Sequence, residues 1–190
     1  TRNIEVIVGS GNVLEESKNS KKSVELCARE MRYTFLNNVA ENFSADYILL
    51  AHHRDDNIET SLFNLFRGGH LDGLSGMSEI ENDWTTVPLM RPLLNWSKYD
   101  IYRHANLNEL KYWEDSTNND INYDRNWLRN VVIPMIEERK PGVRNVLNRT
   151  IQNISETTNF LDEIYTKWFL QNCISQKFNV ALFDVEHIAL

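Results

Sequence analysis

Ala51-His52-His53-Arg54-Asp55-Asp56-Asn57-Ile58-Glu59-Thr60 is entered from the apolar run Tyr47-Ile48-Leu49-Leu50 and followed at a short distance by Arg67-Gly68-Gly69. A short apolar run ends in a polar cluster and opens an amphipathic segment marked by Ile58, Leu62, Leu65 and Phe66, which reads as a strand feeding a helix. In open α/β sheets that join is where ligands bind. With a helix beginning near Asp55, Asp56 and Glu59 stand at i,i+3 and Asp55 and Glu59 at i,i+4, so two carboxylates share a face. Such a pair suits a cation or an amine. The Asp56-x-x-Glu59 spacing also fits a capping box, in which carboxylates satisfy the unpaired N–H groups of a first helical turn, and spacing alone leaves both readings open.

Outward from this join, strand and helix patterns alternate. Ile4 to Val8 reads as a strand, Ser10-Gly11-Asn12 as a turn, and Asn12 to Lys22 as a polar linker without periodicity. Ser23 to Phe43 carries Val24, Cys27, Ala28, Met31, Phe35 and Val39 at helical spacing, with Arg29 and Arg32 near one another's face. Thr85 to Leu94 is a further strand whose pairing Pro88 and Pro92 limit. This alternation predicts an α/β fold with a doubly wound, mostly parallel sheet, followed by a helical segment. Ser97-Lys98-Tyr99-Asp100 predicts a capping box, Asp124 caps a helix that Pro134 kinks or splits, and Pro141-Gly142 breaks the chain again. A helix of about seven turns runs from Val143, and Lys177 to Val185 reads as a strand. The expected domains are residues 1–95 as the α/β part, 96–141 as its helical part, 142–172 as a long linker helix, and 173–190 as the start of a further domain.

Of 190 residues, 42% are hydrophobic, enough for a real core. No apolar run approaches the roughly 20 residues that cross a bilayer, and the N-terminus has no signal pattern, so no membrane association and a cytoplasmic location are expected. Cys27 and Cys173 form no C-x-x-C pair, which argues against a disulfide framework and against a zinc or iron–sulfur site. Paired histidines beside paired aspartates also fit a dinuclear metal site, but no second ligand cluster accompanies them, and no metal site is expected. The net charge of -7 excludes binding nucleic acid by bulk electrostatics. Locally, residues 122–150 hold six bases against three acids, a pattern that fits either one RNA-facing surface or a solvated helix face.

Four more motifs surround the central run: Glu25-x-x-Ala28-Arg29-x-x-Arg32-Tyr33, Arg91-Pro92-Leu93-Leu94, Asp115-Ser116-Thr117-Asn118, and Arg125-Asn126-x-x-Arg129-x-x-x-x-Pro134. In this order, over residues 22–150, they resemble the tRNA(Ile)-lysidine synthetase family of N-type ATP pyrophosphatases. One departure is large. The family's phosphate loop, Ser-Gly-Gly-x-Asp-Ser, has no counterpart here, since Ser10-Gly11-Asn12 lacks the second glycine and the Asp-Ser pair. The resemblance therefore implies a nucleotide-binding catalytic domain that begins after its first strands, inactive by itself.

The reaction implied is ATP-dependent joining of L-lysine to the C2 position of the wobble cytidine in an isoleucine tRNA with a CAU anticodon, through an adenylated tRNA, with ATP and Mg2+ as cofactors. A lysine amine, with an ordinary pKa near 10.4, arrives as an ammonium and needs carboxylates. The resemblance puts Asp56 and Glu59 in that role as catalytic groups, with Asp55 beside them in the lysine site. Arg32 is the matching choice for charge on the phosphate during adenylation, with Arg29 second. One of His52 and His53 lines the nucleotide pocket and the other packs locally. Arg125, Asn126 and Arg129 match the tRNA-facing motif; Arg67 fits either a tRNA contact or a C-terminal charge cap. A homodimer is compatible with this reading. The rivals are a tRNA 2-thiolation enzyme of the same superfamily, which would use cysteines for a cluster, and a non-catalytic tRNA-binding fragment.

Overall fold

In the computed structural model, which describes residues 4–115, 118, 120–177 and 180–183, the chain divides into two units, Thr1–His53 with Ser78–Trp96 and Arg54–Met77 with Ser97–Leu190. The first is organised by helix α2 (Val24–Asn42), opened by Ser23, whose hydroxyl accepts the Leu26 N–H. Its stripe packs Tyr33 and Ala40 on Ile48 and Leu89, with Leu36, Ala45, Leu50 and Val87 at the margins. Ile48 lies in β1 (Ile48–Leu49) and Leu89 in β3 (Leu89–Met90), with β2 (Ile80–Glu81) completing the sheet in the order β1-β3-β2. β1 and β3 are parallel with Ile48 opposite Leu89, and β2 is antiparallel with Ile80 opposite Met90. The α/β class expected from the sequence is present, carried by a small mixed sheet. Pro88 and Pro92 have no N–H to give and bracket β3 closely, while the Pro88 carbonyl still accepts the Ile48 N–H at 2.8 Å.

Two N-terminal expectations are corrected. Residues 4–12 form no regular element, and Ile4, Val6 and Val8 are exposed; alternating apolar residues make a strand only where a neighbour completes the ladder, and among the described residues none does. Asn12 to Lys22 is not a linker, because it holds helix α1 (Val13–Ser20). The Asn12 side chain accepts the Glu15 N–H, Glu15 and Glu16 sit in the first turn, and Lys18 in the last. Capping and charge make this helix instead of an apolar stripe, so periodicity missed it.

The second unit contains α3 (Arg54–Phe66), α4 (Leu71–Leu74), α5 (Lys98–Leu107), α6 (Asp124–Trp127), a π-helical turn (Leu128–Val132), α7 (Ile133–Arg139) and α8 (Val143–Asn172). Ile58 and Leu62 of α3 meet Leu128, Val132, Ile133 and Ile151 in its core, with Phe63, Ile136 and Leu147 against it. The capping box of Ser97 and Asp100 that opens α5 is formed on both sides. Tyr123, not Asp124, takes the cap position of α6, and Asp124 lies in the first turn, where its charge complements the helix dipole. Proline lacks an N–H and its ring collides with the carbonyl four residues back; ahead of Pro134 the helix answers with the wider π turn. α8 starts from Gly142 at φ 85 and buries only Ile151 and Thr158. The strand expected at Lys177 to Val185 is instead a hairpin of β4 (Cys173–Lys177) and β5 (Val180–Phe183), with Phe183 stacked on Trp168; Asp184 and Val185 lie outside the described residues. Among the described residues no helix is long and apolar enough to cross a membrane.

Candidate functional site

The second unit gathers acids at the start of α3 and places bases opposite them. One turn of helix separates Asp56 from Glu59, so both reach a single guanidinium. Arg129 donates from Nε and Nη2 to the two Glu59 oxygens, each at 2.7 Å, and from Nη2 to Asp56 at 3.0 Å. Glu59 is only 3% exposed. Hydrogen bonding to Glu59, with the charges of Glu59, Asp56 and Asp55, holds the Arg129 guanidinium above its ordinary pKa against the opposing effect of burial. Arg129 lies in the π turn, whose neighbours Leu128 and Val132 remain in the core. Asn118 meets the same group, with its Oδ1 3.5 Å from Arg129 Nη1 and its carbonyl accepting from Asn130 at 2.8 Å. This joins the Asp115–Asn118 motif to the Arg125–Pro134 motif; Ser116 and Thr117 lie outside the described residues.

Asp55 is engaged elsewhere. One oxygen accepts the Lys98 N–H at the start of α5 at 2.8 Å, and the other pairs with Arg144 of α8. A carboxylate used this way ties three helices together. Asn57, also buried, accepts the Met77 N–H at 2.6 Å and fixes the loop after α4. Arg67 and Arg125, expected on the RNA side, converge on Phe63, with guanidinium carbons 4.9 and 5.8 Å from its ring centre. Asn126 donates to the Asp120 carbonyl at 3.0 Å and braces the loop before α6.

The first unit holds the other expected residues. Arg91 is 1% exposed and donates to the Ser78 carbonyl at 2.7 Å, to Glu81, and from Nε to His52 Nδ1 at 3.3 Å. A neutral imidazole that accepts at Nδ1 carries its hydrogen on Nε2. His53 is half-buried. Arg29 lies over Trp84 at 4.7 Å and Tyr33 at 5.2 Å, its Nε buried without a hydrogen-bond partner among the described residues. Arg32 lines a cavity of about 270 Å³ with Gly9, Ser10, Gly11, Met31 and Phe35. Arg32 and Arg29 thus share α2 and both lie over the Tyr33 ring, at 5.6 and 5.2 Å, and of the two it is Arg32 that lines the cavity. Sequence reasoning missed Arg144 and Phe63 as site partners and gave Arg91 no role. A buried arginine's partners lie far along the chain, and no spacing rule reaches them.

Among the described residues no three His, Cys, Asp or Glu side chains gather in a way that would hold a metal ion.

Residues 1–136 match the PP-loop domain family. The chain is similar to a tRNA(Ile)-lysidine synthase of Nitrosomonas europaea, 37% identical over 153 residues that cover 80% of this chain and 32% of the relative. It is similar also to those of Francisella tularensis, 34% identical over 86% of this chain and 40% of the relative, and of Legionella pneumophila, 37% identical over 76% and 33%. The chain thus spans about a third of the length of these curated relatives, two fifths at most. Among solved structures, the U34-tRNA thiolase NcsA from Methanococcus maripaludis with its [4Fe-4S] cluster aligns with a TM-score of 0.52 at 18% identity, covering 71% of this chain and 44% of that one. That likeness speaks for the fold alone.

Proposed function

The chain belongs to the PP-loop domain family, and from that membership we propose that it is part of a cytoplasmic tRNA(Ile)-lysidine synthetase, which uses ATP to join L-lysine to the wobble cytidine of an isoleucine tRNA with a CAU anticodon. The curated relatives carry that name over most of this chain. The observation that carries the chemical reading is the Asp56–Glu59 pair, because its partner is already a cationic N–H donor.

In the first step the C2 oxygen of the cytidine attacks the α-phosphorus of ATP and pyrophosphate leaves. Negative charge builds on phosphate oxygens, and guanidinium groups stabilise it through paired N–H donors. Arg32, beside a cavity in the first unit, is assigned this task and Arg29 a supporting one, with one of His52 and His53 lining the nucleotide. In the second step the lysine ε-nitrogen attacks C2, and AMP leaves with the former C2 oxygen. The ammonium must first lose a proton, which Asp56 or Glu59 accepts directly or through water. Asp56 and Glu59 offer an ammonium the same kind of pairing with N–H donors that they give the Arg129 guanidinium. Asp55 completes the acidic surroundings from its own pairing with Arg144. Arg67, Arg125, Asn126 and Arg129 face the RNA. Mg2+ would accompany ATP as the counter-ion of its phosphates, since the described side chains do not gather into a site for it.

The test is Asp56→Asn in a protein that carries the family's phosphate loop, with adenylated tRNA and lysidine measured separately. Asp56 gives Arg129 one bond where Glu59 gives two, so the fold should persist. Adenylation should continue while lysine transfer falls at least roughly a hundredfold, in line with the loss of one positioned acid–base group. Normal lysine transfer would make the pair structural and remove the amine site from α3.

A further inference from the structure

We infer that Arg67 and Arg125, held over the ring of Phe63, form a clamp for the phosphates of the RNA backbone, with Phe63 as its positioning residue. The inference rests on the RNA-modifying reading above and adds to it a mode of contact that is blind to base identity.

The two arginines come from separate places in the sequence. Arg67 follows the end of α3 and Arg125 lies in α6, yet their guanidinium carbons sit 4.9 and 5.8 Å from the centre of one ring. They are therefore no farther apart than the sum of those distances, about 11 Å, a span that one phosphodiester or two successive ones can bridge. Phe63 is half-buried and packed against the core of Ile58, Leu62 and Leu128, which makes the ring a fixed platform. A guanidinium that lies over an aromatic face is steadied by the ring while its N–H donors, which lie in its own plane, stay available to an acceptor. Both arginines are exposed, and among the described residues neither has a carboxylate within ion-pair distance. By contrast, Arg91 and Arg144 each have one and Arg129 has two.

Two cations gathered on one ring without an acid repel one another, and an anion relieves that repulsion. The partner is a backbone phosphate and not a mononucleotide, because the pair stands at the surface. Tyr123 and Trp127, which flank Arg125 in sequence, are 65% and 42% exposed and offer rings on which unpaired bases of the same strand stack. In a chain of net charge -7, such a clamp gives affinity at one place without a basic surface overall.

The alternative is local. Arg67 could serve only as a charge cap at the C-terminus of α3. Binding of a fluorescent anticodon stem-loop of the isoleucine tRNA to the full-length protein, followed by anisotropy across a series of KCl concentrations, separates the two. Arg67→Gln and Arg125→Gln should each reduce the slope of log affinity against log salt by about 0.7–0.9, the share of one phosphate contact. The loss should be the same for a stem-loop with a scrambled anticodon. Phe63→Leu should weaken binding about as much as losing one arginine although both charges remain, and Phe63→Tyr should restore it. Unchanged slopes in both arginine variants, with normal wild-type binding, would overturn the clamp and leave the RNA reading in place. A lowered melting temperature for Arg67→Gln with unchanged binding would make it a helix cap and also overturn the clamp. Wild-type protein that binds the stem-loop without salt dependence, or not at all, would overturn the RNA reading and the clamp together.

Discussion

Replacing Arg129 by Met removes three hydrogen bonds and leaves the Glu59 carboxylate, 3% exposed, without the cation that compensates it. Removing one partner of a buried pair costs about 3–5 kcal/mol. The Arg129 side chain is 26% exposed, so water reaches part of the space it vacates, and the expected loss is about 2–4 kcal/mol. For a chain of this size that lowers the melting temperature by roughly 5–15 °C. Glu59→Gln should cost less, because the amide oxygen still accepts while the amide N–H group faces another donor. The double variant should be more stable than the sum of the two losses by about 1–3 kcal/mol, since the same contact is counted in both. Thermal and urea unfolding of the four proteins, followed by circular dichroism, give the cycle. Losses that add within about 0.5 kcal/mol, or an Arg129→Met variant that melts like the wild type, would show that the three bonds do not define the site and that Asp56 and Glu59 act independently.

Gly76 has φ 77, and a Cβ built there would lie 2.3 Å from the Asn57 Oδ1 that accepts the Met77 N–H; Gly76→Ala should cost about 2–3 kcal/mol through strain and the broken bond, and an unchanged melting curve would refute this. The Asp100 carboxyl is held below its ordinary value of 3.8 by hydrogen bonds from the Ser97 side chain and backbone. Its stabilising contribution is therefore complete above pH 3.8, the unfolded value, and is lost as pH falls through the lower folded value. Asp100→Asn should flatten that acid limb of the stability profile, and an acid limb identical to the wild type would exclude this residue as its source.

Much of this architecture was legible because the residues carry local rules. Ser23 before an apolar stripe gave α2, Ser97 and Asp100 gave the start of α5, and the apolar run into His52-His53 gave β1 and α3. Rules of that kind act within a few residues. They failed where a partner decides the outcome, as at Ile4 to Val8, where the pattern of a strand has no ladder to join, and at Lys177 to Val185, where a hairpin draws its first strand from Cys173 onward. They failed differently at α1, where a cap and end charges act on a segment without an apolar face.

The site shows the same limit at the scale of single side chains. Asp55, Asp56 and Glu59 read alike as acids of one helix start, yet Asp56 and Glu59 share Arg129 while Asp55 turns to Lys98 and Arg144. The i,i+3 spacing accounts for the shared pair. It cannot account for Arg129, which stands 70 residues beyond Glu59. In a regular helix Arg129 would keep the 100° step from its neighbours, whereas the π turn ahead of Pro134 fits more residues into each turn and so reduces that step, while Leu128 and Val132 stay buried. Proline at position 134 therefore shapes the acidic site from five residues away, by requiring the local widening within which Arg129 meets two carboxylates. A motif that joins Arg125, Arg129 and Pro134 then has a physical basis as one unit: α6 brings Arg125 to Phe63, the π turn brings Arg129 to Glu59, and Pro134 accounts for the turn between them.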